Sequence, residues 1–537
     1  MSKKRVWFYC LLTGATYSLS VSNLFESFQW GSLAWIALLP LHRVLLNATV
    51  QQAFFRGWLA GFFAFSGTMY WVVVAMYLFG KVPLPISIAI MFLLTTYLGL
   101  FAGIYAWGFV WIEQRWATVA WILAPCLWVS LEFLRTFAFS GLPWGLLGYS
   151  QFKWLPIIQV ANITSVYGVS FLIVLVNIAL FLLLRWSLTR KPIRGSLIQP
   201  WIPIATAAAI VLVVWLYGLS QLTTPSSESL NVGIVQANID QTHKWDTDYQ
   251  LGTLERYARL TKTIIPDSDF ILWPEAATPF LFEREISYQS FVVEMIEQAQ
   301  IPLVFGSPAL RRHDDGRPYL LNSAYVLSPS GEITGRYDKQ HLVPFGEYIP
   351  LKTFLFFLEK LVVGIGDFQP GSGPTLLSIP YDSGQKEAKF GVAICYEVIF
   401  PNLVRQLVNE GTNFLVTITN DAWFGDTVAP YQHFAMVVFR AVENRMAFAR
   451  AANTGVSGFI DPTGHIYAPV PIFTEESFFG SISLGEPTTF YTQFGDVFAW
   501  TCVIISLFLL WFIKFFRHPT VVDAVFQYPK TGQPPKE

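Results

Sequence analysis

Eight long apolar runs constrain this chain more than any other feature, and seven of them crowd into the first 220 residues. They cover residues 6–24, 30–46, 53–78, 84–112, 117–134, 166–186, 201–219 and 497–513. About 20 predominantly apolar residues suffice to cross a bilayer as a helix. Only a backbone that satisfies its own hydrogen bonds can stand in hydrocarbon. The runs therefore predict eight membrane-spanning helices, with tilt or a break where the second is short and the fourth long. Charged residues are 13 % of the chain against 53 % hydrophobic ones, outside the range of an ordinary soluble protein. Lys3, Lys4 and Arg5 precede the first run as they would in a signal peptide, but the spans that follow make a retained anchor the simpler reading.

Basic residues in short loops mark the cytoplasmic side. With the N-terminus inside, that side collects Lys3, Lys4, Arg5, Arg43, Arg56, Arg115, Arg185, Arg190, Lys191, Arg194, Lys514 and Arg517, and the other side only Lys81, Arg135 and Lys153. The asymmetry places both termini inside and the long segment before the last span outside. The expected organisation is spans one to seven in 1–222, a water-exposed domain in 229–485, the last span in 495–517 and a disordered cytoplasmic tail in 518–537. Residues 141–163, with Pro143, Trp144, Trp154 and Pro156, read as a re-entrant or interfacial segment on the outer side, or equally as a loop with interface aromatics.

The 229–485 segment alternates short apolar runs with helical patterns. Strands are expected at 231–236, 270–273, 302–306, 324–327, 390–394 and 414–419, and helices at 249–264, 286–300, 401–410 and 431–451. Hairpin turns are expected at 328–331 and 461–464. The sum is an α/β domain with a mixed sheet. One apolar stretch, Phe354 to Val363 beside Gly364 and Gly366, suits membrane contact or a lid. A net charge of −1 gives no electrostatic basis for binding nucleic acid. No phosphate-loop or metal-ligand spacing is visible, so no cofactor or metal is expected, and nothing demands more than a monomer.

Of the four cysteines, Cys10, Cys126 and Cys502 fall in apolar runs, which leaves Cys395 alone in the water-exposed part. It ends a strand in Gly391-Val-Ala-Ile-Cys-Tyr-Glu397. A thiol there is either core filling or, once ionised, a strong nucleophile. Glu275 ends another strand in Leu272-Trp-Pro-Glu-Ala276, where desolvation beside Trp273 would raise its pKa and make it a usable base. Lys339 and Glu347 lie in Tyr337-Asp-Lys-Gln-His-Leu-Val-Pro-Phe-Gly-Glu347. A fixed ammonium there can stabilise an oxyanion and lower the pKa of a nearby thiol. Each residue alone is more simply a cap, a surface charge or core filling.

In the order Glu…Lys…Cys the three motifs resemble the nitrilase, or carbon–nitrogen hydrolase, superfamily. Thr419-Asn-Asp-Ala-Trp-Phe-Gly425 and Arg440-Ala-Val-Glu-Asn-Arg445 resemble its downstream motifs. The resemblance implies an αββα sandwich with Glu275, Lys339 and Cys395 as a catalytic triad and Glu347 as a supporting carboxylate. With the spans, and with Ser140-Gly-Leu-Pro-Trp-Gly145, Gly148-Tyr-Ser-Gln151 and Val166-Tyr-Gly-Val-Ser170, the whole chain resembles the bacterial apolipoprotein N-acyltransferases. That family implies an inner-membrane enzyme with its catalytic domain on the periplasmic side. It implies a phospholipid donor, a diacylated apolipoprotein acceptor and a thioester on Cys395. It ties Trp245, Tyr396, Glu397 and, more weakly, Trp144 to substrate handling. Two other classes remain open from the residues: a membrane-tethered amidase, which would need only one span, and a transporter or receptor. A transporter would be expected to carry more ionisable residues inside its spans than the neighbouring Glu132 and Arg135.

Overall fold

Pro40 shapes the second apolar run. In the computed structural model, which describes residues 1–22, 30–189, 199, 201–223, 228–349, 368–382, 384–486 and 489–515, that run is a 3-10 turn (Trp30–Trp35) and a short helix (Leu39–Leu45). Proline offers no N–H to continue a preceding helix but suits the first turn of a new one, and Pro40 sits there. The third run bends by 50° between helix Val50–Thr68 and the segment Trp71–Phe79, whose last turn is a π-helix. The fourth shows no break: Leu84–Trp116 is one helix of 33 residues. At about 1.5 Å per residue it is about 50 Å long. Helices Lys3–Ser20, Ala120–Arg135, Val166–Thr189, Trp201–Ser220 and Val497–Phe515 account for the other runs.

Among the described residues three helices are long and apolar enough to cross a membrane, or four if the bent pair counts as one span. Helices Val50–Thr68 and Leu84–Trp116 pack through small residues; a Cβ on Gly61 would stand 3.0 Å from the Cα of Gly99. Glu132 and Arg135 turn to different partners: Glu132 Oε1 accepts the Leu147 N–H at 2.9 Å, and the Arg135 guanidinium lies over the Phe65 ring at 4.8 Å. Residues 141–163 form short helical turns (Leu147–Gln151, Leu155–Ile158, Ala161–Thr164) that are largely buried.

Among the described residues the second half holds twelve strands: β1 (Ser229–Gln236), β2 (Phe270–Leu272), β3 (Leu303–Arg312), β4 (Pro318–Leu327), β5 (Ile333–Asp338), β6 (Leu377–Tyr381), β7 (Lys386–Ile394), β8 (Phe414–Thr419), β9 (Phe448–Ala452), β10 (Ser457–Ile460), β11 (Ile466–Val470) and β12 (Glu476–Ser483). They make two six-stranded sheets, ordered β12-β1-β2-β3-β4-β5 and β11-β10-β9-β8-β7-β6. Each has a parallel centre, β1-β2-β3 and β7-β8-β9, flanked by antiparallel strands. The sheets meet face to face: Phe270 packs on Phe390 at 6.3 Å and on Phe414 at 5.9 Å. Helices Gln250–Lys262 and Ile286–Ala299 cover the outer face of the first sheet, where Tyr257 stacks on Trp273 at 4.7 Å. Helices Pro401–Asn409 and Ala429–Asn444 pack with the second. The result is an αββα sandwich.

Strand and helix positions mostly match the sequence expectation, with one overreach. The helix expected over 431–451 ends at Asn444, because Arg445 turns left-handed (φ 55°) and the chain enters β9 beside β8. The apolar stretch Phe354 to Val363 and the tail from residue 518 lie outside the described residues.

Candidate active site

Glu275 follows β2 on a backbone that hugs β3. The Gly306 N–H donates to the Pro274 carbonyl at 3.1 Å. A Cβ at Gly306 would stand 2.6 Å from Ala276 N and 2.7 Å from Glu275 Cα, so the approach requires glycine. Glu275 is only 7 % exposed and Lys339, just past β5, 1 %. Glu275 Oε1 accepts from the Asn322 amide at 2.8 Å and from Lys339 Nζ at 3.3 Å. Its Oε2 accepts the Asn420 N–H at 2.9 Å. Buried Lys244 donates to the Glu275 backbone carbonyl at 3.1 Å. Glu347 completes the cluster: Oε1 accepts from Lys339 at 2.9 Å and Asn322 at 2.8 Å, and Oε2 from the Val343 N–H at 2.7 Å.

Cys395 stands where β7 ends and a 3-10 turn (Cys395–Ile399) begins. Its φ of 53° is left-handed, uncommon for a residue with a side chain and frequent where function holds a strained turn. It is half-buried, while its strand neighbours are sealed.

Burial pushes the Glu275 carboxyl up, as expected from its strand-end position, but Lys339, the Asn322 amide, Lys244 and the Asn420 N–H outweigh it and hold the group below its ordinary value. Burial pushes Lys339 down, and Glu347, Glu275 and Cys395 more than reverse that, so the ammonium keeps its proton. For Cys395, burial and then Glu275 raise the thiol well above its ordinary value, and Lys339 opposes them without winning. The expected lowering of the thiol pKa by lysine is therefore not the net result. The resting arrangement is a carboxylate, an ammonium and a neutral thiol.

The remaining expected residues divide. Glu397 is fully buried; its Oε1 accepts from Gln340 N at 2.6 Å, Tyr337 OH at 2.9 Å and His341 N at 3.2 Å, and its Oε2 from Ile394 N at 2.7 Å. It ties the Lys339 loop to the Cys395 turn. Burial, only partly offset by these donors and Lys339, raises its pKa to about 7. Tyr396 donates to the Gly141 carbonyl at 3.0 Å, which joins the site to the helical half. Trp144 is buried there and donates to Gln432 Oε1 at 2.7 Å. Trp245 stands out at 49 % exposed, one residue beyond buried Lys244.

Sequence reasoning missed Asn322, Lys244 and His433. Asn322 lies inside β4 and reaches the site only through strand pairing; its own carbonyl accepts the Lys339 N–H at 2.8 Å. Among the described residues no cluster of His, Cys, Asp or Glu is arranged to hold a metal.

The sandwich and the chain's relatives agree. Residues 231–489 match the family described as carbon-nitrogen hydrolase, and residues 13–179 match the apolipoprotein N-acyltransferase N-terminal domain. An apolipoprotein N-acyltransferase of Geobacter metallireducens is 41 % identical over 93 % of this chain and 94 % of its own. The chain belongs to the apolipoprotein N-acyltransferases. It is thus an N-acyltransferase whose C-terminal half is a nitrilase-like domain. A Pasteurella multocida relative of the same description is 32 % identical over 92 % of this chain and 93 % of its own. Among solved structures, a mutant of a Nesterenkonia amidase from the nitrilase superfamily aligns with 51 % of this chain and 95 % of its own, at 20 % identity and a TM-score of 0.36.

Proposed function

We propose that the enzyme moves an acyl chain from the sn-1 position of a phospholipid, phosphatidylethanolamine in the simplest case, to the α-amino group of an N-terminal diacylglyceryl-cysteine on an apolipoprotein. The observation that carries this reading is a half-buried Cys395 thiol at a left-handed strand end, electrostatically coupled to the Glu275–Lys339 pair. Family membership supplies the class of acceptor.

In the first half-reaction the Cys395 proton passes to Glu275 as sulfur attacks the ester carbonyl. At rest this transfer is uphill, because the thiol pKa is raised and the carboxyl pKa lowered. It becomes favourable only as negative charge moves onto the carbonyl oxygen, which Lys339 and a backbone N–H such as that of Tyr396 stabilise. This coupling keeps a free thiolate from accumulating. The C–O bond breaks, the lysophospholipid oxygen takes the proton from Glu275, and a thioester remains. In the second half-reaction the apolipoprotein amine attacks the thioester, its proton passes through Glu275 to the departing sulfur, and an amide forms. One nucleophile serving two substrates in turn is ping-pong chemistry. Glu347 balances and orients Lys339.

In this reading residues 1–222 and 495–517 supply eight spans, and 229–485 is a catalytic domain on the periplasmic face of the inner membrane. The distribution of basic residues supports that orientation. Exposed Trp245 and buried Trp144 are the aromatic candidates for handling lipid, and the enzyme works as a monomer without a cofactor. The test supplies phosphatidylethanolamine with different chains at sn-1 and sn-2, together with a diacylated lipopeptide. The lipopeptide gains the sn-1 chain; transfer of the sn-2 chain, or none, contradicts the assignment.

A further inference from the structure

His433 takes no part in the steps above, yet it bonds to the backbone of the nucleophile. Its Nε2 lies 3.1 Å from the Cys395 carbonyl oxygen. A carbonyl can only accept, so Nε2 carries the hydrogen. On the other side of the ring, Arg450 NH2 stands 3.1 Å from Nδ1 and 2.7 Å from Asp421 Oδ2, while Asp421 Oδ1 is 3.0 Å from Nδ1. Thr419 donates to Asp421 Oδ1 at 2.8 Å. All of these groups are buried. Burial, reinforced by Arg450 and opposed by Asp421, keeps the imidazole pKa below its ordinary value, so the ring is neutral.

A second set of contacts reaches the ring from the helical half. Trp144 stacks on His433 with centroids 5.7 Å apart and an interplanar angle of 29°, and donates to the adjacent Gln432. Trp144 in turn packs on Trp71 at 4.9 Å, at the bend of the third apolar run. An aromatic path thus leads from the helical half to the carbonyl of Cys395.

We propose that His433 is a positioning residue: its Nε2–H holds the Cys395 carbonyl, and with it the left-handed turn that presents the thiol, while the Trp144 stack ties the place of the ring to the helical half. Arg450, which donates to Nδ1, fixes the tautomer that makes the bond, and Asp421 holds Arg450 in place. A shift of the nucleophile by about 1 Å costs about a hundredfold in rate.

The inference rests on the acyl-transfer reading only where lipid is the reagent. The test compares wild type, His433→Ala and His433→Gln in the full chain, since a glutamine amide nitrogen can reach the position of Nε2 and donate as it does. Single-turnover thioester formation from phosphatidylethanolamine should fall about a hundredfold in His433→Ala, with KM for phospholipid within about threefold, and recover to within about tenfold of wild type in His433→Gln. A parallel arm measures alkylation of Cys395 by iodoacetamide, read by peptide mass spectrometry, and should rank wild type and His433→Gln above His433→Ala. Equal alkylation in all three, or equal loss of transfer in both variants, overturns the positioning role. If wild type forms no thioester while the alkylation ranking holds, the lipid reading fails and the positioning role stands.

Discussion

Lys339 Nζ stands 3.3 Å from Glu275 Oε1, and both side chains are buried. The same ammonium is 2.9 Å from Glu347, so one buried cation serves two carboxylates. Removing it strands both. Breaking a buried pair from one side costs about 3–5 kcal/mol, and Glu275 would then take up a proton and could not act as the proposed base. Lys339→Met is expected to lower thermal stability in detergent and to slow thioester formation by about a hundredfold or more. Single-turnover kinetics beside a melting curve check this; a variant with near wild-type transfer contradicts the oxyanion role.

Gly306 is a steric requirement of the backbone that carries the proposed base, Glu275. A methyl group there would press on Ala276 N and the Glu275 Cα. Overpacking of this kind costs about 1–3 kcal/mol, and relief must come from moving Glu275. Gly306→Ala is expected to lower the transfer rate at least tenfold, while Gly252→Ala, with open space around it, should not. Paired rate measurements decide it.

Glu397 acts through its acceptors. In Glu397→Gln one oxygen can still accept from Gln340 N and Tyr337 OH, but the amide NH2 would face the Ile394 N–H. An unsatisfied buried donor costs about 1–3 kcal/mol. The expected outcome is a lower melting temperature and slower transfer. The pKa of about 7 lies above the ordinary carboxyl value, so the stability tied to its proton is fully present in acid and lost as pH rises through 7. Melting curves from pH 5 to 8 should show that trend in wild type and not in Glu397→Gln.

Lys244 should set an alkaline limb. Burial, partly opposed by Glu275 and Cys395, lowers its pKa to about 8. Above that pH it loses its charge, and with it part of the positive field around Glu275 and Cys395 that would stabilise the negative charge developing in the transition state. Transfer should therefore decline as pH rises through 8. Lys244→Met should be slower at neutral pH and lack that limb. Rate profiles from pH 6 to 10 test it, and an unchanged limb in the variant would assign it elsewhere.

How much of this was legible in the sequence depends on how local each signal was. Glu275 and Cys395 stand out in the sequence because each ends an apolar strand, and the family resemblance carried by the three motifs in order implies the αββα sandwich. Asn322 could not be found this way, because it bonds both carboxylates only through the β4–β5 pairing and its own segment says nothing of chemistry. His433 hides inside helix Ala429–Asn444, which is buried on every side, so no amphipathic face sets it apart. Lys244 is the buried residue that touches Glu275, and nothing in its own segment sets it apart, whereas its neighbour Trp245 is singled out by the family resemblance alone. The Glu275 carboxyl departs from the expected direction because donors that only the fold assembles outweigh burial, and the Cys395 thiol because burial and Glu275 outweigh Lys339.

Peptide mass spectrometry of Cys395 is the most direct test of the central claim. The full-length enzyme is exposed first to phosphatidylethanolamine vesicles and then to a diacylated lipopeptide. The account predicts one acyl chain on Cys395 as a hydroxylamine-labile thioester after the first step, and its transfer to the lipopeptide amine after the second. An unmodified Cys395 while triacylated lipopeptide accumulates, or the same acyl-enzyme in Cys395→Ala, would contradict it.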